Sequence, residues 1–186
     1  MSVVGIDPSL NSLGLAARRT DGEHVAYAIA SSNLRGEQRV AFLRDKVAGW
    51  LDRLNPSLVA YEGYALGFRG KSNAIFSLGE LGGVLKLLIL ERGIDILLVP
   101  PTSLKMYVTG KGNADKDAVS KALRERVGVA FSTSDQYDAT GLLLMGEAFL
   151  DRRKLPRDRK HHEYRAVKSC SFLQSFANVG EGCSRL

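Results

Sequence analysis

Cysteine is scarce in this chain. Only Cys170 and Cys183 occur among 186 residues, both near the C-terminal end. They match no metal-ligand spacing, and a reducing cytosol disfavours pairing them, which excludes a disulfide framework and a zinc module. Long apolar runs are missing too, and none approaches the roughly 20 residues of a membrane span. No basic stretch followed by an apolar segment opens the chain, so no signal peptide is expected. The sequence therefore predicts a soluble protein of the cytoplasm. Internal repeats are absent. Tryptophan occurs once, at Trp50. The Gly110-Lys111-Gly112 turn lacks the G-x-x-x-x-G-K-[ST] spacing of a nucleotide-phosphate loop.

What is present fits one domain of ordinary size plus an appendage. Hydrophobic residues make up 45%, enough for a sizeable core. The net charge of +6 is unevenly placed. Residues 1–151 hold 17 basic and 17 acidic residues, whereas 152–186 hold 9 and 3. A neutral body beside a basic tail points to a polyanionic partner, although a solvated tail without a partner would have the same composition. The predicted layout is a domain over 1–151 and a basic tail over 152–186, partly disordered or carrying a short helix.

The chain is organised around Val3-Val4-Gly5-Ile6-Asp7. An apolar run without alternation suits a strand covered on both faces, and Pro8 ends it. Residues 13–18 and 25–30 read as two more strands joined at Asp21-Gly22. Val40, Leu43, Val47, Trp50, Leu51 and Leu54 then recur at helical spacing up to Asn55-Pro56, with Trp50 read as core. Leu58-Val59-Ala60-Tyr61-Glu62 is a strand that also ends on an acid. A loop over 63–71 leads to a helix with Ser72 or Asn73 as its cap and Gly79, Gly82 and Gly83 on its length. Residues 95–99 form the last expected strand, before Pro100-Pro101. Three helices follow: a short one over 102–108, one capped by Asn113, and one over 135–151 capped by Ser134. The predicted fold is α/β, a five-stranded mixed sheet of three antiparallel and two parallel strands, with helices on both faces.

Asp7 and Glu62 end two strands, and ligands of such folds lie at the carboxyl ends of strands. Asp135 and Asp138, spaced i, i+3, share a helix face near that helix's start, where the dipole favours negative charge. Each has a plainer reading alone: a capping carboxylate, or a solvated helix start. If all four meet, neighbouring pairs repel by roughly 4 kcal/mol at about 4 Å and an effective dielectric near 20. Such a set takes up protons or a counter-cation. Oxygen ligands without His or Cys select Mg²⁺ or Mn²⁺, and two such ions would activate a water and stabilise the leaving oxygen of a phosphodiester. Lys105, Lys111 and Lys116 bracket the glycine turn. A lysine near the acids could hold the scissile phosphate, although any one of them could equally be a surface lysine.

Val4-Gly5-Ile6-Asp7-Pro8-Ser9, Ala60-Tyr61-Glu62, Pro100 with Lys105, Asn113-Ala114-Asp115-Lys116 and Asp135-Gln136-Tyr137-Asp138-Ala139 occur in this order. Together they resemble the RuvC family of Holliday junction resolvases, over about residues 1–150. The resemblance implies an RNase H-like fold, a homodimer, and Mg²⁺-dependent paired nicking of four-way DNA junctions. It implies that Asp7, Glu62, Asp135 and Asp138 are metal ligands and that Lys105 and Lys116 are active-site and DNA-contacting lysines. Gly63 stands where bacterial members usually have Gln, and the loop after it is about two residues longer. Tyr64 or Phe68 is the candidate for the family's junction-inserting aromatic, with Arg69, Lys71 and Lys111 as further DNA contacts. The basic tail lies outside the family core and is similar to compact resolvases of bacterial viruses, which extends the expected setting to a phage-infected host. An RNase H-type or structured-RNA nuclease, and a non-catalytic branched-DNA-binding protein, remain alternatives. A two-lobed kinase or actin-like ATPase would need a longer chain. The apolar, glycine-bearing helix over 72–92 is the candidate dimer interface, with packing on the sheet as the other use of its stripe. Neither a membrane nor a small-molecule cofactor is expected.

Overall fold

The computed structural model describes residues 2–63 and 72–176. Its centre is a sheet in the order β3-β2-β1-β4-β5-β6. The strands are β1 (Val3–Asp7), β2 (Ser12–Arg18), β3 (His24–Ala30), β4 (Leu58–Glu62), β5 (Asp95–Val99) and β6 (Ser171–Leu173). The first three form the antiparallel meander expected from the Asp21-Gly22 turn, where Gly22 adopts φ 91°. Strands β1, β4 and β5 run parallel.

The expected five strands are corrected to six. β6 pairs antiparallel with β5, Ile96 opposite Leu173 and Leu98 opposite Ser171. Three residues are too few for a periodic signal, and the surrounding segment is polar and basic. The strand covers an edge that β5 would otherwise leave open. Just beyond it, Asp95 Oδ1 accepts the Ser175 backbone N–H at 2.8 Å.

Side chains on each strand alternate between two cores. On one face, Val4, Ile6, Leu13, Leu15, Val59, Tyr61 and Ile96 pack with helices α1 (Gly36–Leu54) and α2 (Ser72–Glu91). On the other, Val3, Leu58, Ala60, Leu97 and Val99 pack with helices α3 (Pro101–Thr109), α5 (Ser134–Leu150) and α6 (His162–Lys168). Helix α4 (Lys116–Val127) packs on α5 through Val119, Leu123 and Tyr137. Helix α1 stops where Asn55 turns left-handed at φ 41°, just before Pro56. Trp50 is half-buried and meets the Tyr27 ring edge-on, centroids 4.8 Å apart.

Residues 152–176 hold a 3-10 turn (Arg152–Lys154), α6 and β6. Leu155, Ala166 and Val167 are buried in the same core as Val3 and Leu142. Their spacing is irregular, which hides them from a periodicity search.

Candidate active site

The same alternation fixes the position of two acids. Val3, Gly5 and Asp7 take one side of β1, and Leu58, Ala60 and Glu62 take the same side of β4. The parallel register sets Ile6 opposite Tyr61, so Asp7 and Glu62 come next on adjacent strands and face the α5 layer together. The core consumes every earlier position on that side, so the acids occupy its open end.

Helix α5 brings the other two. It lies so close on the sheet that a Cβ at Gly5 would stand 2.0 Å from the Ala139 carbonyl oxygen. A Cβ at Gly14 would stand 2.2 Å from the Asp135 carbonyl oxygen. Both strand glycines are therefore required by contact rather than by a turn. With α5 seated there, Asp135 and Asp138 continue the stripe of Ala139 and Leu142 toward Asp7.

The start of α5 is fixed by Thr133, not by the expected Ser134. Thr133 and Gln136 form a reciprocal capping box. Gln136 Nε2 also donates to the Ala26 carbonyl at 2.8 Å, tying the helix start to β3. The T-x-x-Q spacing was the available signal, and the adjacent serine masked it. Likewise α4 is capped by Asp115, whose carboxylate accepts the Ala118 N–H at 2.8 Å, rather than by Asn113. That cap makes Lys116 the first residue of α4.

The electrostatics show that the acids share one place. Asp7 is only 7% exposed. Burial, the charge of Glu62 and a side-chain hydrogen bond with Glu62 push its pKa well up, with Asp135 adding to the rise and Lys116 opposing it. Glu62 is raised by burial and by Asp138, against the hydrogen bond with Asp7 and the charges of Lys116 and Lys105. Asp138 is pushed up to about 6 by burial, then by Asp7 and Asp135, again against Lys116 and Lys105. Asp7, Glu62, Asp135, Asp138, Lys105 and Lys116 thus act on one another, although they come from five elements.

Lys111 is exposed in the turn after α3. Tyr64, Phe68, Arg69 and Lys71 lie outside the described residues.

The donor set suits a hard divalent cation: four carboxylates, of which Asp7, Glu62 and Asp138 are raised by burial and by their acidic neighbours. The cage is not preassembled. Among the described residues, no three His, Cys, Asp or Glu side chains already stand in an arrangement that could hold a metal ion. Instead Asp7 and Glu62 share a side-chain hydrogen bond, and both are raised by burial. A cation would have to displace that hydrogen bond and draw the side chains round itself.

The profile of the family described as crossover junction endodeoxyribonuclease RuvC matches residues 3–141, from β1 into α5. The chain belongs to the RuvC family. Relatives described as crossover junction endodeoxyribonuclease RuvC include that of Corynebacterium jeikeium, 29% identical over 68% of this chain and 80% of the relative. The Paenarthrobacter aurescens protein is 29% identical over 77% of this chain and 79% of its own length. Among solved structures, Thermus thermophilus RuvC superposes with a TM-score of 0.65 at 24% identity, over 81% of this chain and 96% of that one. The T. thermophilus RuvC in complex with Holliday junction substrate gives 0.68 at 22%, over 93% and 99%. These likenesses establish the RuvC-like, RNase H-like α/β fold. The family match contains all four acids and both lysines.

Proposed function

We propose that the chain is a structure-selective DNA endonuclease of recombination and repair. It resolves four-way junctions, and acts on other branched DNA, by metal-dependent phosphodiester hydrolysis giving paired nicks. The observation that carries this reading is the meeting of Asp7, Glu62, Asp135 and Asp138 at one end of the sheet, in a chain of the RuvC family. The Thermus relative bound to a Holliday junction supports the choice of substrate.

In this reading Asp7, Glu62, Asp135 and Asp138 hold Mg²⁺ or Mn²⁺, two ions per site. When bound, these activate water and stabilise the leaving oxygen. Asp138 adds its negative charge above about pH 6, and burial raises Asp7 and Glu62 as well. Lys105 and Lys116 offset part of that charge and hold the scissile phosphate. Lys111 contacts DNA beside the site, with Tyr64, Phe68, Arg69 and Lys71 as further contacts. Residues 1–151 carry the chemistry, and the basic segment 152–186 contributes affinity for the polyanion. The working compartment is the cytoplasm, and no described helix is long and apolar enough to cross a membrane.

Two equal nicks in a pseudo-symmetric junction need two related sites, which an isologous homodimer supplies. Helix α2 offers the face. Leu81, Leu85 and Ile89 point into the core, while Phe76 is 71% and Leu87 49% exposed. A Cβ built at Gly79 or Gly83 meets nothing within 4 Å. Among the described residues nothing packs where those Cβ atoms would stand, so the outer stripe is flat there for a second copy.

The test is cleavage of matched four-way, Y-shaped and linear DNA, and of RNA-containing counterparts, with Mg²⁺ or Mn²⁺. Paired nicking of the four-way DNA, lost in Asp7→Asn, is expected. Failure to cut branched DNA, or a preference for the RNA-containing forms, would overturn the reading.

A further inference from the structure

One side chain joins the helices that carry the site's lysines and acids. Arg126 lies in the last turn of α4. Its Nη1 donates to Glu163 Oε1 of α6 at 2.7 Å. Its Nη2 donates to the Tyr107 hydroxyl of α3 at 3.1 Å, and its guanidinium carbon stands 4.7 Å from the centroid of the Tyr107 ring. Tyr107 is 2% exposed and leans its hydroxyl toward the Leu144 carbonyl of α5 at 3.5 Å. A single planar fork therefore links α4, α3 and α6 and reaches α5 through the tyrosine. Those helices present Lys116, Lys105, and Asp135 with Asp138.

The geometry of α3 gives the linkage a direction. Lys105 precedes Tyr107 by two positions, about 200° around the helix. The face held by Arg126 is thus turned away from the face bearing Lys105, whose charge acts on Glu62 and Asp138. Arg126 itself is not among the charges that dominate at Asp7, Glu62 or Asp138. Any influence it has on the chemistry must pass through placement. Glu163 lies beyond residue 141, where the family match ends.

We propose that Arg126, clamped between Tyr107 and Glu163, is a positioning residue that sets Lys105 against the carboxylates, so that α6 forms part of the active-site scaffold. The proposal rests on the role given to Lys105 above. Lysine cannot replace the fork, because one ammonium cannot stack on the ring and hold both oxygens in fixed directions.

The test is a double-mutant cycle on the full chain: single-turnover cleavage of a four-way junction at saturating enzyme with Mg²⁺, junction affinity without divalent cation, and a thermal melt for each variant. A misplaced lysine predicts that Arg126→Met slows cleavage about 10-fold while affinity stays within about 3-fold, and that Arg126→Lys does not restore the rate. In a Lys105→Ala background, Arg126→Met should cost less than about 2-fold more, since the group it places is gone. A purely structural role would lower the melting point equally in both backgrounds and slow cleavage additively. Additive losses, or a wild-type rate in Arg126→Met, would overturn the proposal. Lys105→Ala alone reports on the underlying reading, and a wild-type rate there would remove the lysine's role and the proposal with it. Should Arg126→Met not fold, Glu163→Gln keeps the side chain's shape and takes its place in the cycle, with an expected loss of about 3-fold and the same criterion of non-additivity.

Discussion

Asp138 is held at a cost to the fold, and removing its charge should show the size of that cost. Its folded-state pKa of about 6 stands above a reference of 3.8 because of burial first and Asp7 second. At low pH the carboxyl is protonated whether folded or unfolded, and no penalty exists. As pH rises through 3.8 the unfolded chain loses the proton while the native state keeps it. Native stability therefore falls with pH until about 6, where the folded carboxyl also ionises. Above that the penalty is full. About two pKa units at 1.36 kcal/mol each give roughly 3 kcal/mol as an upper figure, and the partial exposure of the group reduces it to about 1.5–3 kcal/mol. Asp138→Asn removes the charge with little change of shape. At pH 7 in EDTA the variant should melt roughly 3–12 °C above the parent, taking about 2–4 °C per kcal/mol for a chain of this size. The difference should shrink below pH 6 and vanish near pH 4. Added Mg²⁺ should stabilise the parent more than the variant, because the cation relieves the repulsion that the substitution has already removed. Cleavage should be lost throughout. Melting curves from pH 4 to 8 decide the matter, and an equal or lower melting point for Asp138→Asn at pH 7, or a pH-independent difference, would refute the reasoning.

Asp7→Asn should abolish nicking and leave junction affinity within a few-fold, read by cleavage and gel-shift assays side by side. Gly5→Ala forces a methyl group against the Ala139 carbonyl and the Leu143 N–H. Backbone atoms cannot yield as a side-chain end can, so a loss of about 3 kcal/mol or more in denaturant unfolding is expected. Phe76→Glu places a charge on the outer face of α2 and should shift the protein toward monomer in sedimentation without lowering its melting point. Replacing the exposed Arg157, Arg159 and Lys160 by serine should weaken junction binding and reduce the slope of log affinity against log salt by up to about 3, near 0.9 for each phosphate no longer neutralised. An unchanged slope would deny these side chains a role at the phosphates.

The carboxylate half of the site was legible because each acid sits at a chemically abrupt place. Asp7 and Glu62 end apolar runs, and Asp135 and Asp138 share a helical face. Period and turn residues place each on its element, but that the two strands are parallel neighbours comes from the register of β1 on β4. The close seat of α5 was less visible. Gly5 reads as one small residue in a strand, and only the Ala139 carbonyl, into which a Cβ there would run, explains why nothing larger stands there. Helix starts were misassigned by one or two positions, since Ser134 and Asn113 are also good caps. What decides between neighbouring caps is which one lets Gln136 reach Ala26, or Asp115 reach Ala118. The sixth strand and the buried Leu155, Ala166 and Val167 were hidden for a different reason. They belong to a segment whose order comes from packing against β5 and α3, and such packing leaves no period in the sequence.

That segment also explains why the charge is distributed as it is. A body with equal numbers of acids and bases has no net charge to draw a polyanion in, and its own site is acidic. On the proposed function, the surplus cations would serve where they can draw DNA in without neutralising the carboxylates. Segment 152–176 meets this condition by turning Leu155, Ala166 and Val167 inward and leaving Arg157, Arg159, Lys160, Arg165 and Lys168 exposed. Its anchor is α3, and a Cβ at Gly110 would stand 3.7 Å from the His162 ring, so the cations are fixed beside the turn that carries Lys111. A flexible tail of the same composition would raise affinity for any DNA. On the proposed reading, a docked one would give the attraction a fixed direction relative to Asp7 and Glu62.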